Sequence, residues 1–440
     1  MRSSHGSKRR IFRSALSLAW KIAARTSVMP LGLIVIVFGQ IAIGATLGLD
    51  FSWPGQYDTE TGASPASTIS SRCVPDAYPT LAAGGPIVEL GTNPNYGIWP
   101  ANGQADKSFP EALTNFFAGA IPSHNWVMGQ PKLLYDNSGG RFILIASAFD
   151  TASQPPQAWI AIGASAINHP QQFHDCTYSF DANSNSGTHY WGSNPQLGIT
   201  KDAFAITADM RAFDNNNTFQ YATVWMIPKQ SIYNIPGNLC PPGGFPIHNW
   251  QRLTNPGGDL ASQVTPAKSY AANSPVTYLI SAYPNGGSGL SLWTLDSDNV
   301  SLSLAQKLPV QPYPAPPAAP QKGTTQLIST GDARLVNAVY FNESGLWTVQ
   351  TAACPNQPGR SCFKWYQLNP VAGTVIQDSY FGYSVDFVYA PAVVANRNGD
   401  AVFVFNASSS NHYVDVDFVG ACGWRRGKYS PVARFSAESW

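Results

Sequence analysis

Five segments of this chain are written in one grammar: a Pro or turn residue, an apolar strand, a tight Gly/Asn/Asp turn and a second alternating strand. They are QPKLLYDNSGGRFILIASAF from Gln130, NPQLGITKDAFAITADM from Asn194, SPVTYLISAYPNGGSGLSLWTL from Ser274, DARLVNAVYFNESGLWTVQTA from Asp332 and APAVVANRNGDAVFVFNAS from Ala390. Their first residues lie 64, 80, 58 and 58 apart, a loose but recurring period. Self-similarity on this scale marks a repeat architecture, in which each unit needs its neighbours to bury an apolar face. In each unit the second strand alternates (Phe142, Leu144, Ala146; Phe204, Ile206; Leu290, Leu292; Leu346, Thr348; Val402, Val404), as a hairpin covered on one face requires. ATVWMIPKQSIY from Ala222 and FKWYQLNP from Phe363 supply outer strands for four-stranded units. No stretch beyond residue 76 has a sustained helical period; FPEALTNFFA, from Phe109 to Ala118, reads as one or two surface turns.

Repeated antiparallel units, rich in aromatics and loops, predict an all-β chain of the β-propeller class, which protects its sheet edges by radial repetition. The 365 residues from 76 to 440 hold six or seven blades. A pair of two-sheet sandwiches is the alternative, since ordinary hairpins also generate a loose period.

The phrases PKLLYDNSGGRFIL, NPQLGITKDAFAITADM with FQYATVWMIPK, SPVTYLISA with LSLWTL, TGDARLVNAVYFNESGLWT and YAPAVVANRNGDAVFVFN resemble a family of exported, mostly bacterial β-propeller proteins, loosely related to the sialidase-like and BNR-repeat propellers. The likeness spans most of residues 110 to 410 and implies a fold more than a reaction, because members mostly lack an assigned activity. The sialidase Asp-box, S-x-D-x-G-x-x-W, is absent, with NESGLW and DNSGGRF as degenerate echoes.

Charge divides the chain. Residues 1–49 carry seven cations (Arg2, Lys8, Arg9, Arg10, Arg13, Lys21, Arg25) and no acid, which leaves 19 Lys+Arg against 25 Asp+Glu beyond them, a formal charge of −6. A nucleic-acid partner would need a basic face, so nucleic acid is not expected. Residues 1–27 read as a basic cytoplasmic N-terminus, and the apolar run 28–49 as a transmembrane helix long enough to cross a bilayer core of about 30 Å, with the bulk of the chain outside. The alternative is a cleaved signal, which leaves the protein secreted; either way it is exported. Residues 50–75 read as a flexible Ser/Thr/Gly/Pro linker and 76–440 as the propeller domain.

All six cysteines (Cys73, Cys176, Cys240, Cys354, Cys362, Cys422) lie beyond the apolar run, an even number suited to an oxidising compartment. Cys354 and Cys362 flank a short polar turn and form a natural local pair, and a Cys73 to Cys422 bridge would tie the ends of the domain together.

Chemistry has to be read site by site, because fold does not imply function. A glycosidase needs two carboxyl groups about 5–9.5 Å apart, one of them kept protonated. Acids near expected turns are Asp136, Asp202, Asp209, Asp332, Asp386 and Asp400; Asp202, Asp209 and Asp332 are the catalytic candidates, with Arg334 as a guanidinium partner. Each acid is equally a turn residue bonding its own backbone. There is no G-x-S-x-G elbow, and the seven histidines stand singly. Asp181, Asn183 and Asn185 have the oxygen-ligand spacing of a calcium loop, although Gly187 falls one place late and Gly192 stands where a bidentate Glu belongs; no other cofactor is expected. Trp126, Tyr190, Trp191 and Trp250 are candidates for stacking on a sugar ring. The sequence thus points to an extracytoplasmic binding or scaffold module for a glycan or protein ligand, with a carbohydrate-active hydrolase as the competing reading. An enzyme should bring two acids and an Arg together at the propeller axis.

Overall fold

The computed structural model describes residues 80–435 except 85–86, 92–94, 101–110, 123–124, 166–175, 184–188, 215, 234–239, 241–243, 272–273 and 422–432, with side chains described between 112 and 420. The basic N-terminus, the apolar run 28–49, the linker, Cys73, Cys422 and Asn185 lie outside the described residues.

Antiparallel four-stranded meanders follow one another along the chain. The first is β1 (Thr80–Gly84), β2 (Ile87–Gly91), β3 (Asn95–Pro100) and β4 (Glu111–Ala112). A helical turn, α1 (Leu113–Phe116), leads to β5 (Val127–Asp136), β6 (Arg141–Asp150), β7 (Gln157–Ala164) and β8 (Cys176–Asp181). The third meander is β9 (Tyr190–Ile199), β10 (Ala203–Ala212), β11 (Phe219–Pro228) and β12 (His248–Gln251). The next stretch splits into β13 (Thr265–Pro266) and β14 (Lys268–Ser269) before β15 (Val276–Ala282), β16 (Gly286–Asp296), β17 (Ser301–Leu302) and β18 (Gln306–Pro314). A small hairpin, β19 (Ala319–Gln321) and β20 (Thr324–Ile328), precedes β21 (Leu335–Phe341), β22 (Gly345–Cys354), β23 (Gln357–Asn369) and β24 (Thr374–Phe381). The last meander is β25 (Phe387–Ala395), β26 (Ala401–Ser409), β27 (His412–Ala421) and β28 (Ala433–Phe435).

Among the described residues five apolar clusters lie along this series. Ile143 and Ile145 of β6 meet Phe204 and Ile206 of β10. Ala205 of β10 and Val224 of β11 meet Leu279 and Trp293 of the fourth sheet. Ile280 and Leu292 meet Leu335 and Leu346 of the fifth, and Trp347 and Trp365 of the fifth meet Val393 and Phe403 of the sixth. On the remaining face of β6, Phe142 and Leu144 pack under α1. The second strands β6, β10 and β22 are therefore buried on both faces, with β22 buried along its whole length, whereas β26 alternates buried with half-buried residues. For these three strands this corrects the expectation of a hairpin covered on one face, since a sheet stacked between two others has no solvent side; in the last sheet the alternation of β26 keeps that pattern. The stacking of sequential meanders is that of a β-propeller and not of paired sandwiches.

The segment read as a surface turn is likewise corrected. Leu113, Phe116 and Phe117 are buried, and Phe116 is seated where Gly163 has no side chain; a Cβ there would lie 2.8 Å from the ring. Gly198 does the same for backbone, since a Cβ would stand 2.6 Å from the Ala267 carbonyl. That close approach lets β14 run parallel between β9 and β21 and joins the third and fifth meanders into one nine-stranded sheet.

Inner strands carry a repeated irregularity. Gln130, Asn194 and Ala390 each precede a proline and sit in the left-handed region, with φ of 58°, 50° and 49°. The pairing register shifts beside them, between Gly129 and Lys132 on β5 and between Tyr389 and Ala392 on β25. Non-glycine residues at such angles cost about 1–2 kcal/mol each, so the bulges persist because the packed sheets impose them. Neighbouring sheets are stapled close by: Thr207 donates to the Val264 carbonyl at 2.5 Å and Asn337 pairs with both backbone groups of Val393.

Cys354 and Cys362 are bonded, as their spacing suggested, and Cys176 is bonded to Cys240, joining β8 to the segment after β11. The two close loops of 64 and 8 residues. In the chain-entropy view, opening them costs about 4 and about 2.5 kcal/mol. The Cys176→Ser, Cys240→Ser variant is expected to lose more stability in a urea titration than the Cys354→Ser, Cys362→Ser variant, and the reverse order would contradict this loop-length account.

Candidate functional site

β9 and β10 are joined by a turn at Thr200–Asp202, so the two ends of β10 belong to opposite faces of the molecule. Asp202 and Asp209 are seven residues apart, about 23 Å along an extended strand, and cannot act together. Asp202 is exposed at its turn, where it accepts hydrogen bonds from Thr200 and Ser297. Asp209 lies near the other end, where β21 begins.

There it meets the other two candidates. Arg334 Nη2 lies 2.7 Å from Asp332 Oδ2, and its Nε is 2.8 and 2.9 Å from the two Asp332 oxygens. Its Nη1 reaches Asp209 Oδ2 at 3.3 Å, across 125 residues of chain. One guanidinium thus links a carboxylate of its own turn to one from the third sheet. The fourth sheet contributes Gln263, at φ 43°, whose backbone N–H donates to Asp209 Oδ1 at 2.7 Å and whose side-chain amide donates to the Leu335 carbonyl at 3.0 Å. Groups from three sheets converge only near the axis of a propeller, here at the end where the inner strands start.

Exposure separates their roles. The Asp209 side chain retains 4% of its surface, Arg334 24% and Asp332 36%. Burial pushes the Asp209 carboxyl above its ordinary value, against the lowering effects of the Gln263 N–H, Arg334 and Arg211. Asp209 is therefore a sealed support behind Arg334, while Asp332 and Arg334 present polar edges to solvent.

The aromatic candidates do not join this group. Trp126 packs on the cluster under α1 and Trp250 between the third and fourth sheets. Trp191 stacks on Phe149 with ring centroids 5.3 Å apart, and Tyr190 meets Tyr221 at 5.9 Å. All four are half-buried pieces of the interblade cores. Asp181 accepts the Asn183 N–H, and the Asn183 amide both accepts from and donates to the Tyr190 backbone at 2.8 Å. Asn183 is thus engaged in closing a loop onto β9. Among the described residues no three His, Cys, Asp or Glu side chains gather as metal ligands.

A second polar group, of which the sequence offered Asp136 but not its partners, lies at the opposite face. Asp136, at the end of β5, is 1% exposed and pairs with Lys229 Nζ at 2.7 Å. It also accepts the Tyr233 hydroxyl and the Ser138 N–H. Arg141 lies 4.8 Å over the Tyr233 ring and donates to the Ser165 carbonyl at 2.8 Å. Burial pulls the Asp136 carboxyl upward, but Lys229 and the hydrogen bonds from Lys229, Ser138 and Tyr233 outweigh it and hold it below its ordinary value. The signal missed was Lys229 itself, a cation just after an apolar strand, whose partner lies in another sheet.

No protein-family model and no curated protein matches the chain. Among solved structures it is similar to cobalt-substituted Synechocystis ACO, at 9% identity and TM-score 0.44 over 81% of this chain and 69% of that one. It is also similar to a neuraminidase-like protein of A/little yellow-shouldered bat/Guatemala, at 12% identity and TM-score 0.35 over 76% and 90%. The GH43 endo-arabinanase from Bacillus licheniformis aligns at 12% identity and TM-score 0.32 over 68% and 96%. At this extent the likenesses transfer no ligand and no reaction to this chain.

Proposed function

We propose that this chain is a six-bladed, exported β-propeller that recognises a glycan at its axial mouth through Asp332 and Arg334. The observation that carries the reading is the Arg334 guanidinium held between Asp332 and Asp209 with two of the three side chains still open to solvent. A carboxylate accepts two hydrogen bonds and a guanidinium donates in a fixed fork, so neighbouring sugar hydroxyls find an acceptor and a donor side by side. Pre-orienting Arg334 reduces the entropy lost on binding. Six meanders among the described residues support six blades, and two disulfides among them support an oxidising compartment. Residues 28–49 would hold the protein at the membrane, or be removed and leave it secreted.

A hydrolase is the second reading, favoured by two facts: two acids and an Arg meet in one place, the arrangement expected of an enzyme, and Asp209 is a carboxyl biased toward its protonated form beside the second acid, which is how a general acid is prepared. Against it stands the enclosure of Asp209, which leaves almost no surface for a leaving group to touch.

The test is a glycan array and a panel of chromogenic glycosides, with and without EDTA. Binding without turnover is expected, weakened at least tenfold in Asp332→Asn and Arg334→Lys and unaffected by EDTA. Turnover abolished by Asp209→Asn in a folded protein would replace recognition by catalysis, and silence on both would leave a protein-binding scaffold. Loss with EDTA, restored by Ca²⁺, would bring Asp181, Asn183 and Asn185 into the site.

A further inference from the structure

Both hydrogen-bonding edges of the Arg334 guanidinium already carry a carboxylate. Asp332 takes the side-on edge, with Nε 2.9 and 2.8 Å from its two oxygens and Nη2 2.7 Å from Oδ2. Asp209 takes the far nitrogen, Nη1, at 3.3 Å. The first of these pairs is built into the chain, because the Arg334 backbone N–H also donates to Asp332 Oδ1 at 2.9 Å. An Asp that bonds the backbone two residues on closes a local turn. Asp332 is therefore held by the strand it precedes, whether or not Asp209 carries a proton. Arg211, a second cation that acts on Asp209, is turned onto the Asn217 carbonyl of its own hairpin at 2.7 Å. Each of these two arginines is thus engaged by the protein itself.

We propose that the mouth selects neutral glycans and rejects counterparts that bear a carboxylate, sulfate or phosphate; this selection rests on the glycan reading and narrows it to one class of ligand. A guanidinium without a partner grips such an anion through a fork of two N–H bonds. To do so here, an acidic sugar has to displace Asp332 from Nε and Nη2, breaking bonds of the kind it would make. If Asp332 stays, two like charges crowd one guanidinium and repel one another. A hydroxyl meets neither obstacle. It donates to Asp332, whose two oxygens have about four acceptor positions, and leaves the pair with Arg334 intact. The Asp332 and Arg334 side chains keep 36% and 24% of their surface, so a ligand reaches them without opening the site. The chain beyond residue 49, with 19 Lys+Arg against 25 Asp+Glu, adds a weak field of the same sign.

The experiment uses oligosaccharides in pairs that differ in charge alone, neutral galactosides, glucosides and xylosides each beside an O-sulfated or uronic-acid counterpart. The full chain is screened on an array of these pairs and then titrated calorimetrically with the pairs that bind. The neutral member is expected to bind at least tenfold more tightly at low salt. Added sodium chloride should narrow that ratio by screening the repulsion and leave the affinity for the neutral member unchanged. In Asp332→Asn the ratio should fall at least tenfold, because the side-on edge of Arg334 then faces an amide and is open to a ligand anion. Acidic members bound by the wild type as tightly as their neutral counterparts would overturn the selection and leave the glycan reading standing. So would a ratio unchanged in a folded Asp332→Asn protein. Binding of neither member of any pair overturns the glycan reading and the selection with it.

Discussion

Lys229→Met is expected to lower the unfolding free energy by about 3–5 kcal/mol, the cost of removing one partner from a buried ion pair. The substitution leaves the Asp136 carboxylate, 1% exposed, with hydrogen bonds from Tyr233 and Ser138 but no cation. Asp136→Leu combined with Lys229→Met should recover much of the loss, because an apolar pair of similar volume leaves no uncompensated charge. The sign with pH follows from the Asp136 carboxyl lying below its ordinary value of 3.8. Its contribution is complete above that value and is lost as pH falls through the lower value it has in the folded protein. The stability gap between wild type and Lys229→Met should therefore narrow in acid. Urea titrations at pH 7 and pH 3, followed by tryptophan fluorescence, measure both effects; an equal gap at the two pH values would show that Lys229 acts by packing alone.

The second large effect is at the mouth. Arg334→Met removes the cation beside Asp209, whose side chain is almost fully enclosed, and a loss of about 2–3 kcal/mol at pH 7 is expected from a buried charge left without its partner. Here the sign is opposite to that at Asp136. Burial already holds the Asp209 carboxyl above 3.8, so the fold favours its protonated form, and stability declines as pH rises from 3.8 through the higher value of the folded protein. Without Arg334 this decline should steepen, so that the variant nears wild type at pH 4 and falls furthest behind at pH 7. Adding Asp209→Asn should relieve most of the defect, because the neutral amide still accepts the Gln263 N–H. A double variant no more stable than Arg334→Met at pH 7 would mean that the guanidinium matters for its stem and not its charge.

Much of the fold was legible in local pattern. The hairpins from Gln130, Asn194, Asp332 and Ala390 correspond to β5–β6, β9–β10, β21–β22 and β25–β26, because period-two alternation and Gly/Asn/Asp turns act within a few residues. The same alternation misled on burial: Ile143 and Phe142 point to opposite faces, and both are in cores. At the site, Asp332 and Arg334 were legible as a pair two residues apart. Gln263 was not, since the group it offers Asp209 is a backbone N–H presented by a left-handed residue.

What the sequence determined by itself is therefore short-range: the strands and their turns, the Cys354–Cys362 pairing across a short loop, the charge division at residue 49 and the Asp332–Arg334 contact. Only the tertiary structure decided that Asp209 would meet Arg334 and Asp202 would not, that Lys229 would close on Asp136, and that Lys268 would reach the Leu133 carbonyl. Alternation along a strand specifies which side chains share a face but not what covers that face. In a propeller the cover is another sheet tens of residues away, and it is the close approach of inner strands such as β9 and β14 that sets which distant groups meet.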